Sequence, residues 1–253
     1  MKSVYTGGEK VGEFESYDEF RVGDNKPAFI YEGNELVYPN PVKDGLVLWY
    51  DFSGRTNTDG QRGIAEDLSG NGNHGTLQNF NYTAESGYDK NKLLFDGVDD
   101  QVFIEGGEDS SVFTILMTLK TSTKAIQFFN YFSNQATYIR KLNTQLHASV
   151  FSESTGQATI SFGGVFSNES DTHTTVGLIS DGARVGIIAN GNVVREIEIN
   201  DMRPVRLRYL GRWVSHADAL DGYYNSLQVY NRPLTPEEIA HNYAIEKERF
   251  GIE

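Results

Sequence analysis

The stretch that decides the fold covers residues 174–199 and has the sequence TTVGLISDGARVGIIANGNVVREIEI. Segments rich in β-branched residues alternate here with two turn dipeptides, Asp181-Gly182 and Asn190-Gly191. Two-residue hairpin turns require positive φ angles, which Gly, Asn and Asp adopt more readily than other residues. The stretch therefore predicts a three-stranded antiparallel meander. Its predicted strands are Thr174–Ser180, Ala183–Ala189 and Asn192–Ile199.

The same pattern continues on both sides of this meander. Short apolar and aromatic segments recur between Gly-containing turns from about residue 45 onward. Many short strands separated by regular turn signals are typical of an antiparallel sandwich or jelly roll. We therefore predict an all-β fold, an antiparallel jelly-roll β-sandwich. The further predicted strands are Leu46–Phe52, Gln101–Ile104, Val112–Lys120, Ala136–Leu142, Gln145–Phe151, Val205–Leu210 and Ser226–Tyr230.

One short helix is predicted at the C-terminal end of the sequence. Thr235 supplies an N-cap hydroxyl, Pro236 occupies the first turn, and Glu238 follows three residues after the threonine. This arrangement is a capping box, in which the threonine and glutamate side chains satisfy the first backbone N–H groups. The predicted apolar stripe of this helix consists of Ile239, Tyr243 and Phe250.

The first forty residues contain a duplicated pattern. Val4–Val11 and Ile30–Val37 share the order apolar-Tyr-x-Gly-x-Glu-x-Val, which predicts two β-hairpins. Pro39-Asn40-Pro41 follows and indicates a short stiff linker. We therefore predict a β-hairpin module over 1–40 and a jelly-roll domain over 44–253. The module is either a docking element that pairs with another chain or a set of extra strands on the sandwich.

Composition excludes several functional classes. The 253 residues include no cysteine and carry a formal net charge of −13. Disulfides, thiolate nucleophiles and zinc–thiolate sites all require cysteine. Affinity for nucleic acid depends on Lys and Arg neutralising phosphates, so the negative charge disfavours that partner. The apolar runs are far shorter than the roughly 20 residues of a membrane span, so we expect no membrane partner either.

Three blocks of sequence carry a family resemblance through their order and spacing. They are Gly45–Phe52 with Asp67–Leu77, then Leu94–Val102, then Leu220–Ile239. With these blocks the chain from Gly45 onward resembles the concanavalin A-like, LamG-type jelly-roll domains. The resemblance implies the fold and leaves the ligand open, because this fold hosts lectins, enzymes and inert spacers.

The order of a short β module, a Pro-rich joint and a LamG-like domain resembles structural proteins of bacteriophages that infect Gram-positive hosts. This resemblance implies a virion protein of the tail, baseplate or capsid decoration, oligomeric or present in many copies. Such a protein is assembled in the host cytoplasm and is extracellular in the mature particle. Its expected partners are other virion proteins through residues 1–40 and host-surface glycans. The alternative is a free-standing carbohydrate-binding lectin module.

The resemblance also implies a calcium site, because some relatives hold Ca²⁺ in the corresponding loops. Calcium takes six to eight oxygen ligands, and the loop that starts at Asp67 is dense in side-chain oxygens. The nominated ligands are Asp67, Asn71, Asp96, Asp99 and Asp100. The alternative is that these side chains cap turns. Asn225-Ser226 favours that alternative, since relatives often carry acidic residues there.

A sugar-binding surface needs aromatic faces for C–H groups and polar side chains for hydroxyls. The candidates near predicted loops are Trp213, His216, Tyr223 and Tyr224. Trp213 lies in the polar, Gly-rich stretch Gly211–Gly222, which is typical of an exposed loop. Packing in the core is the alternative for each aromatic ring.

Catalysis is not expected from this sequence. Glucanases of this fold use an E-x-D-x-E pattern on one strand, and Glu196-Ile197-Glu198 lacks the third acid. The sequence also has no nucleophile elbow, Cys–His pair or phosphate-binding loop. We therefore predict a protein without enzymatic activity, and a glycan hydrolase is the least favoured class.

Overall fold

A computed structural model of the chain describes residues 2–6, 9–14, 29–32, 35–121, 126–127, 137–166, 172–211 and 219–252. The described chain is all-β apart from one C-terminal helix, as the sequence predicts. It divides into two compact units, Met1–Pro41 and Val42–Glu253. Among the residues described, no helix has the length and hydropathy needed to cross a membrane.

The Met1–Pro41 unit contains two antiparallel hairpins, as the duplicated pattern predicts. In the first, β1 (Lys2–Thr6) pairs with β2 (Glu9–Phe14), and in the second, β3 (Ile30–Glu32) pairs with β4 (Glu35–Tyr38). Both hairpins have a register shift directly before the tyrosine of the pattern. The two hairpins therefore share the same irregularity of strand register as well as the same sequence pattern.

The Val42–Glu253 unit contains the remaining strands and the helix. The strands are β5 (Leu46–Asp51), β6 (Ile64–Ala65), β7 (Gly75–Gln78), β8 (Gly87–Asp89), β9 (Lys92–Asp96), β10 (Gln101–Ile104), β11 (Val112–Thr121), β12 (Ile126–Gln127), β13 (Tyr138–Leu142), β14 (Gln145–Ser152), β15 (Gly156–Gly163), β16 (Thr172–Asp181), β17 (Arg184–Ala189), β18 (Asn192–Glu198), β19 (Tyr209–Leu210) and β20 (Asp221–Tyr230). The helix is α1 (Pro236–Phe250).

These strands form one large sheet and two smaller ones, and all their pairings are antiparallel. The large sheet has the order β18-β17-β16-β11-β20-β9-β8, and β5 also pairs with β20. The smaller sheets have the orders β19-β10-β7-β6 and β12-β13-β14-β15. Met117 and Leu178 of the large sheet share one core cluster with Val102 and Leu146 of the smaller sheets. The unit is thus layered around a single core.

The predicted meander is present as β16, β17 and β18. Asn190 and Gly191 join the second and third strands with φ angles of 47° and 79°, as a two-residue hairpin turn requires. The first turn is shifted by one residue from the prediction, because its central residues are Gly182 and Ala183. Asp181 ends β16, and its carboxylate accepts hydrogen bonds from the next two backbone N–H groups beyond Gly182.

The capping box of α1 is confirmed, whereas its predicted apolar stripe is only partly correct. The Thr235 hydroxyl accepts from the Glu238 N–H at 3.3 Å, and Glu238 accepts from the Thr235 N–H at 2.8 Å. The buried side chains of the helix are Ile239, Asn242 and Glu246. Tyr243 and Phe250 are only partly buried. The helix therefore packs a largely polar face against the sheet.

The larger unit begins at Val42, between the predicted module over 1–40 and the predicted domain over 44–253. The Val42 N–H donates to the Asn242 side chain at 2.9 Å, and the Val42 carbonyl accepts from the Tyr230 hydroxyl at 3.1 Å. Both backbone groups of Val42 are therefore satisfied by the larger unit, which explains why Val42 belongs to it.

Candidate functional site

A cleft of about 590 Å³ opens into the larger unit. Its floor is apolar and consists of Val47, Phe113, Ile115, Val205, Leu207 and Val229. Its polar lining includes Asn71, Asn73, Glu108, Asp109 and Asn231. Ligand sites for small molecules have volumes of about 300–1,000 Å³ and combine a mostly apolar lining with a few polar groups. The cleft meets that description.

The oxygen-rich loop predicted for calcium forms one wall of this cleft. The Asn73 amide donates to the Val47 carbonyl at 2.8 Å and accepts from the Gly107 N–H at 2.9 Å. The Tyr50 hydroxyl donates to the Asn73 carbonyl at 2.6 Å. A Cβ at Gly106 would lie only 2.2 Å from the Asn73 side-chain oxygen, so this close approach requires glycine. These contacts fix the wall before any ligand arrives.

Three polar groups of the cleft have no hydrogen bond within the described chain. They are the Asn71 side-chain oxygen, the Asn231 side-chain amide and the Glu108 carboxylate. Asp109 differs from them, because it accepts a hydrogen bond from Arg206 Nε at 2.8 Å. Hydroxyl groups of a ligand could therefore pair with two amides and one carboxylate without breaking an existing bond.

The predicted calcium ligands separate into two groups. Asp96, Asp99 and Asp100 each offer a carboxylate oxygen, and these oxygens all lie within 4.8 Å of one another. Asp100 is buried and accepts from the Ser86 hydroxyl at 3.1 Å and from the Asp96 N–H at 3.0 Å. Burial raises the pKa of Asp100 to about 6. The spacing and the ligand type of these three carboxylates fit a shared divalent cation.

Asp67 and Asn71 are not members of that group. One Asp67 oxygen accepts from the Trp49 and Ser69 N–H groups at 2.9 and 3.0 Å, and the other accepts from the Asn73 N–H at 2.9 Å. Asn71 donates to the Leu46 carbonyl at 3.1 Å. Both side chains therefore organise the loop, as the turn-capping alternative describes.

Two of the predicted sugar-binding residues, Trp213 and His216, lie outside the described residues. Tyr224 is a correction: its side chain is fully buried and its ring packs 5.6 Å from the Phe95 ring in the core. Alternation along β20 explains this, because successive strand residues point to opposite faces of the sheet. Tyr224 faces the core, so its ring cannot contact a ligand at the surface.

Tyr223 lies on the outer face of the large sheet and is partly exposed. Lys92 Nζ is 4.8 Å from the centre of its ring, and the His173 ring meets it edge-on at 5.7 Å. His173 Nε2 is 2.8 Å from the Asn225 side-chain oxygen, and the Asn225 amide donates to the Asn91 carbonyl at 2.8 Å. His173 is therefore the donor to Asn225. The polar groups around Tyr223 are bonded to each other, which makes this patch a weaker candidate than the cleft.

Comparison with known proteins identifies the fold. No protein-family model matches the sequence, and no curated protein is significantly similar to it. The binding domain of botulinum neurotoxin serotype D matches 80% of this chain and 52% of its own with 13% identity and a TM-score of 0.60. This likeness shows that the chain has a β-sandwich fold.

Two further binding domains share this β-sandwich fold. That of Paraclostridial Mosquitocidal Protein 1 is 15% identical, with a TM-score of 0.57 over 79% of this chain and 52% of its own. That of botulinum neurotoxin DC, solved in complex with SialylT, is 12% identical, with a TM-score of 0.54 over 80% of this chain and 51% of its own. The chain therefore spans about half the length of the binding domains that it matches.

Proposed function

We propose that the Val42–Glu253 unit is a carbohydrate-binding module without catalytic activity. The observation that carries this proposal is the cleft, in which an apolar floor lies beside the open polar groups of Asn71, Glu108 and Asn231. A sugar ring has C–H faces and hydroxyl groups together, so it matches both parts of such a site. A β-sandwich binding domain of similar fold is known in complex with SialylT, which supports a glycan as the class of ligand.

The carboxylates of the cleft favour binding over hydrolysis. Glycoside hydrolysis uses two carboxyl groups that flank the scissile bond. Glu108 and Asp109 are neighbours in sequence, and Asp109 is already paired with Arg206. Glu196 and Glu198 are exposed on β18 and do not line the cleft. Incubation of the protein with the glycans that it binds should therefore release no smaller saccharides.

The test of the proposed function is a glycan array probed with the full chain, followed by calorimetry with a glycan that it retains. The double variant Asn231→Ala/Glu108→Gln should bind that glycan about 10-fold to 100-fold more weakly, because it loses one neutral and one charged hydrogen-bonding group. Asn200→Ala is the matched control, since Asn200 is exposed and does not line the cleft.

Two results would contradict this proposal. An array that retains the protein on no neutral or acidic glycan argues against carbohydrate binding. Equal affinity of the wild type and the double variant, with both folded by circular dichroism, argues that the cleft is not the binding site.

The calcium proposal narrows to Asp96, Asp99 and Asp100, because the carboxylate oxygens of these three predicted ligands lie together. A bound Ca²⁺ would supply the positive charge that lets Asp100 stay ionised despite its burial. Added Ca²⁺ should raise the melting temperature of the wild type, and Asp99→Asn should reduce that rise. Asp89→Asn is a suitable control, as Asp89 is an acid outside the group. An identical melting curve in EDTA and in Ca²⁺ would exclude the site.

The virion assignment is a second proposal, for the Met1–Pro41 unit. Within the described residues β1 pairs only with β2, and β3 pairs only with β4. A strand with an unpaired edge can be extended by a strand from another chain. This supports residues 1–40 as a docking module on a multicopy particle. One of the similar solved structures is a binding domain in complex with SialylT, which favours the carbohydrate-binding alternative over the virion assignment.

A further inference from the structure

The outer face of β13, β14 and β15, here named the Arg140 face, carries no carboxylate among the residues of these three strands. Ile139, Leu146 and Ile160 point from these strands into the core, so the residues that alternate with them face outward. The outward residues used below are Tyr138, Arg140, His147, Thr159 and Ser161. They combine an aromatic ring, a guanidinium, an imidazole and two hydroxyls.

The charge of this part of the chain is opposite to that of the whole. The full sequence has a net charge of −13, whereas residues 110–168 contain four cationic residues and one acid, a net charge of +3. The remaining residues therefore carry −16. The single acid, Glu153, is paired with Arg203 at 2.8 Å, so it does not neutralise the Arg140 face.

Arg140 is the central cation of this face. Its guanidinium lies 5.1 Å from the centre of the Tyr138 ring, and its Nε atom is buried without a hydrogen-bond partner. Within the described chain, no ion pair involves Arg140. A buried N–H donor without a partner is costly, so its presence in a folded protein calls for an explanation.

His147 lies beside Arg140 in the same row of the sheet, and Arg195 reaches that row from a strand of the large sheet. His147 pairs with Arg140 across one ladder and with Ser161 across the next, and His147 Nδ1 is 2.7 Å from the Ser161 hydroxyl. Arg195 extends from the neighbouring β18 and donates to the Ser161 carbonyl at 3.2 Å. Burial, together with the charge of Arg140, lowers the pKa of His147. The His147 imidazole and the guanidinium groups of Arg140 and Arg195 thus lie along one line of residues, from β13 across β14 and β15 to β18.

We propose that the Arg140 face binds a carboxylate-bearing saccharide. Arg140 and Arg195 recognise the carboxylate, because guanidinium groups form strong charge-assisted hydrogen bonds with it. The ring of Tyr138 and the hydroxyl of Thr159 contact the sugar. None of these residues lines the cleft, so this is a separate site. The inference rests on the proposed function only in taking the ligand to be a saccharide.

The ligand-side test compares charged and uncharged forms of the same sugars. Oligosaccharides that contain hexuronic or nonulosonic acids are titrated into the full-length wild type, each paired with its methyl ester. We expect at least one acid to bind and its ester to bind at least about 10-fold more weakly, with affinity that falls as salt rises. Binding of no acid, or equal binding of acids and esters, would overturn the proposal.

The protein-side test uses Arg140→Gln and Arg195→Gln in the full chain. Each should weaken binding of the acidic sugar by about 10-fold or more. Arg184→Gln is the matched control, because it removes one positive charge from an exposed residue of β17 in the large sheet. The NMR titration of the His147 ring gives an independent readout, since a bound carboxylate should raise its pKa. An unchanged titration in the presence of the acidic sugar would contradict the site.

The two proposals fail in distinguishable ways. If the acidic sugar binds and only Asn231→Ala/Glu108→Gln weakens its binding, the proposed site on the Arg140 face is wrong and the proposed site in the cleft is supported. If only the arginine variants weaken binding of the acidic sugar, the proposed site in the cleft is wrong, while the proposed carbohydrate-binding function is supported. If the array retains no glycan at all, both proposals fail.

Discussion

Glu246 is an ionisable side chain enclosed between α1 and the large sheet. It is buried, accepts a hydrogen bond from the Ser226 hydroxyl, and lies 3.3 Å from the Gln228 amide nitrogen. Burial raises its pKa above the ordinary value for glutamate, while nearby Arg249 opposes that effect. The folded state therefore binds the Glu246 proton more tightly than the unfolded chain does.

This linkage predicts that Glu246→Gln stabilises the protein at neutral and alkaline pH. The contribution of a raised pKa to stability is complete below the unfolded pKa of about 4.3 and is lost as pH rises through the folded pKa. The uncharged variant avoids that loss. In urea titrations at pH 8 its free energy of unfolding should exceed that of the wild type by about 1–3 kcal/mol, and the difference should shrink towards pH 4.

The exposed Glu248→Gln on the same helix is the control, and it should change stability by less than about 0.5 kcal/mol. A wild type more stable than Glu246→Gln at pH 8 would show that the ionised carboxylate is favoured in the fold.

Single residues also show the limit of sequence reasoning at the candidate site. The sequence identifies the loop at Asp67 as rich in oxygen, which suits both a metal and a capped turn. A metal site and a capped turn are distinguished only by the three backbone N–H groups that donate to Asp67. The direction of those groups is a property of the folded backbone. Tyr223 and Tyr224 are likewise equivalent by composition. Their exposure differs because the Tyr223 side chain points outward and the Tyr224 side chain points into the core.

At the scale of elements, α1 is joined to the sheet by a buried ion pair. Arg249 near the helix end donates to Asp51 of β5, and both side chains are almost completely buried. A buried charge that loses its partner destabilises a protein strongly, whereas removal of both charges costs less. The pair therefore couples the position of the helix to the edge of the sheet.

Arg249→Ala should lower the free energy of unfolding by about 3–5 kcal/mol, because it leaves Asp51 buried without its cation. The double variant Arg249→Ala/Asp51→Asn should recover part of that loss in the same denaturant titration. Lys247→Ala removes an exposed cation from the same helix and should have little effect. A double variant that is less stable than Arg249→Ala would contradict this account.

Elements with strong local signals are predicted well by the sequence, and elements that depend on tertiary contacts are not. The meander and the capping box follow from turn residues and cap residues that act within a few positions. The strand Gly156–Gly163 is missed because all its residues except Ile160 and Phe162 are small or polar, which leaves a weak apolar pattern. The predicted strand Val205–Leu210 is reduced to Tyr209–Leu210, as Val205 forms only an isolated bridge with Ser110.

At the scale of the whole molecule, the cleft and the Arg140 face both depend on strand order. Val47, Phe113 and Val229 belong to three strands that are distant in sequence and adjacent through β20. A single sequence shows that these strands exist, but their order in the sheet arises from packing between layers. This explains why neither surface could be located from the sequence, although the fold class could.

The division of the chain into two compact units predicts that the chain without residues 1–41 folds. The truncated protein should melt within a few degrees of the full chain by circular dichroism, because the core cluster lies within the larger unit. If the hairpins dock on a particle, the truncated protein should no longer copurify with it and should still bind glycan. Equal retention of both proteins on the particle would refute the docking role.

The bonds at Val42 have a consequence for how this unit can be joined to other chains. Val42 is bonded to Asn242, which lies eight residues before the helix ends at Phe250. At 1.5 Å per residue that separation is roughly 12 Å, so the chain enters and leaves the unit in one small region. Domains with neighbouring ends tolerate circular permutation and insertion into a loop of a host protein. The unit could therefore be inserted into a loop of another protein, with both connections made at neighbouring positions.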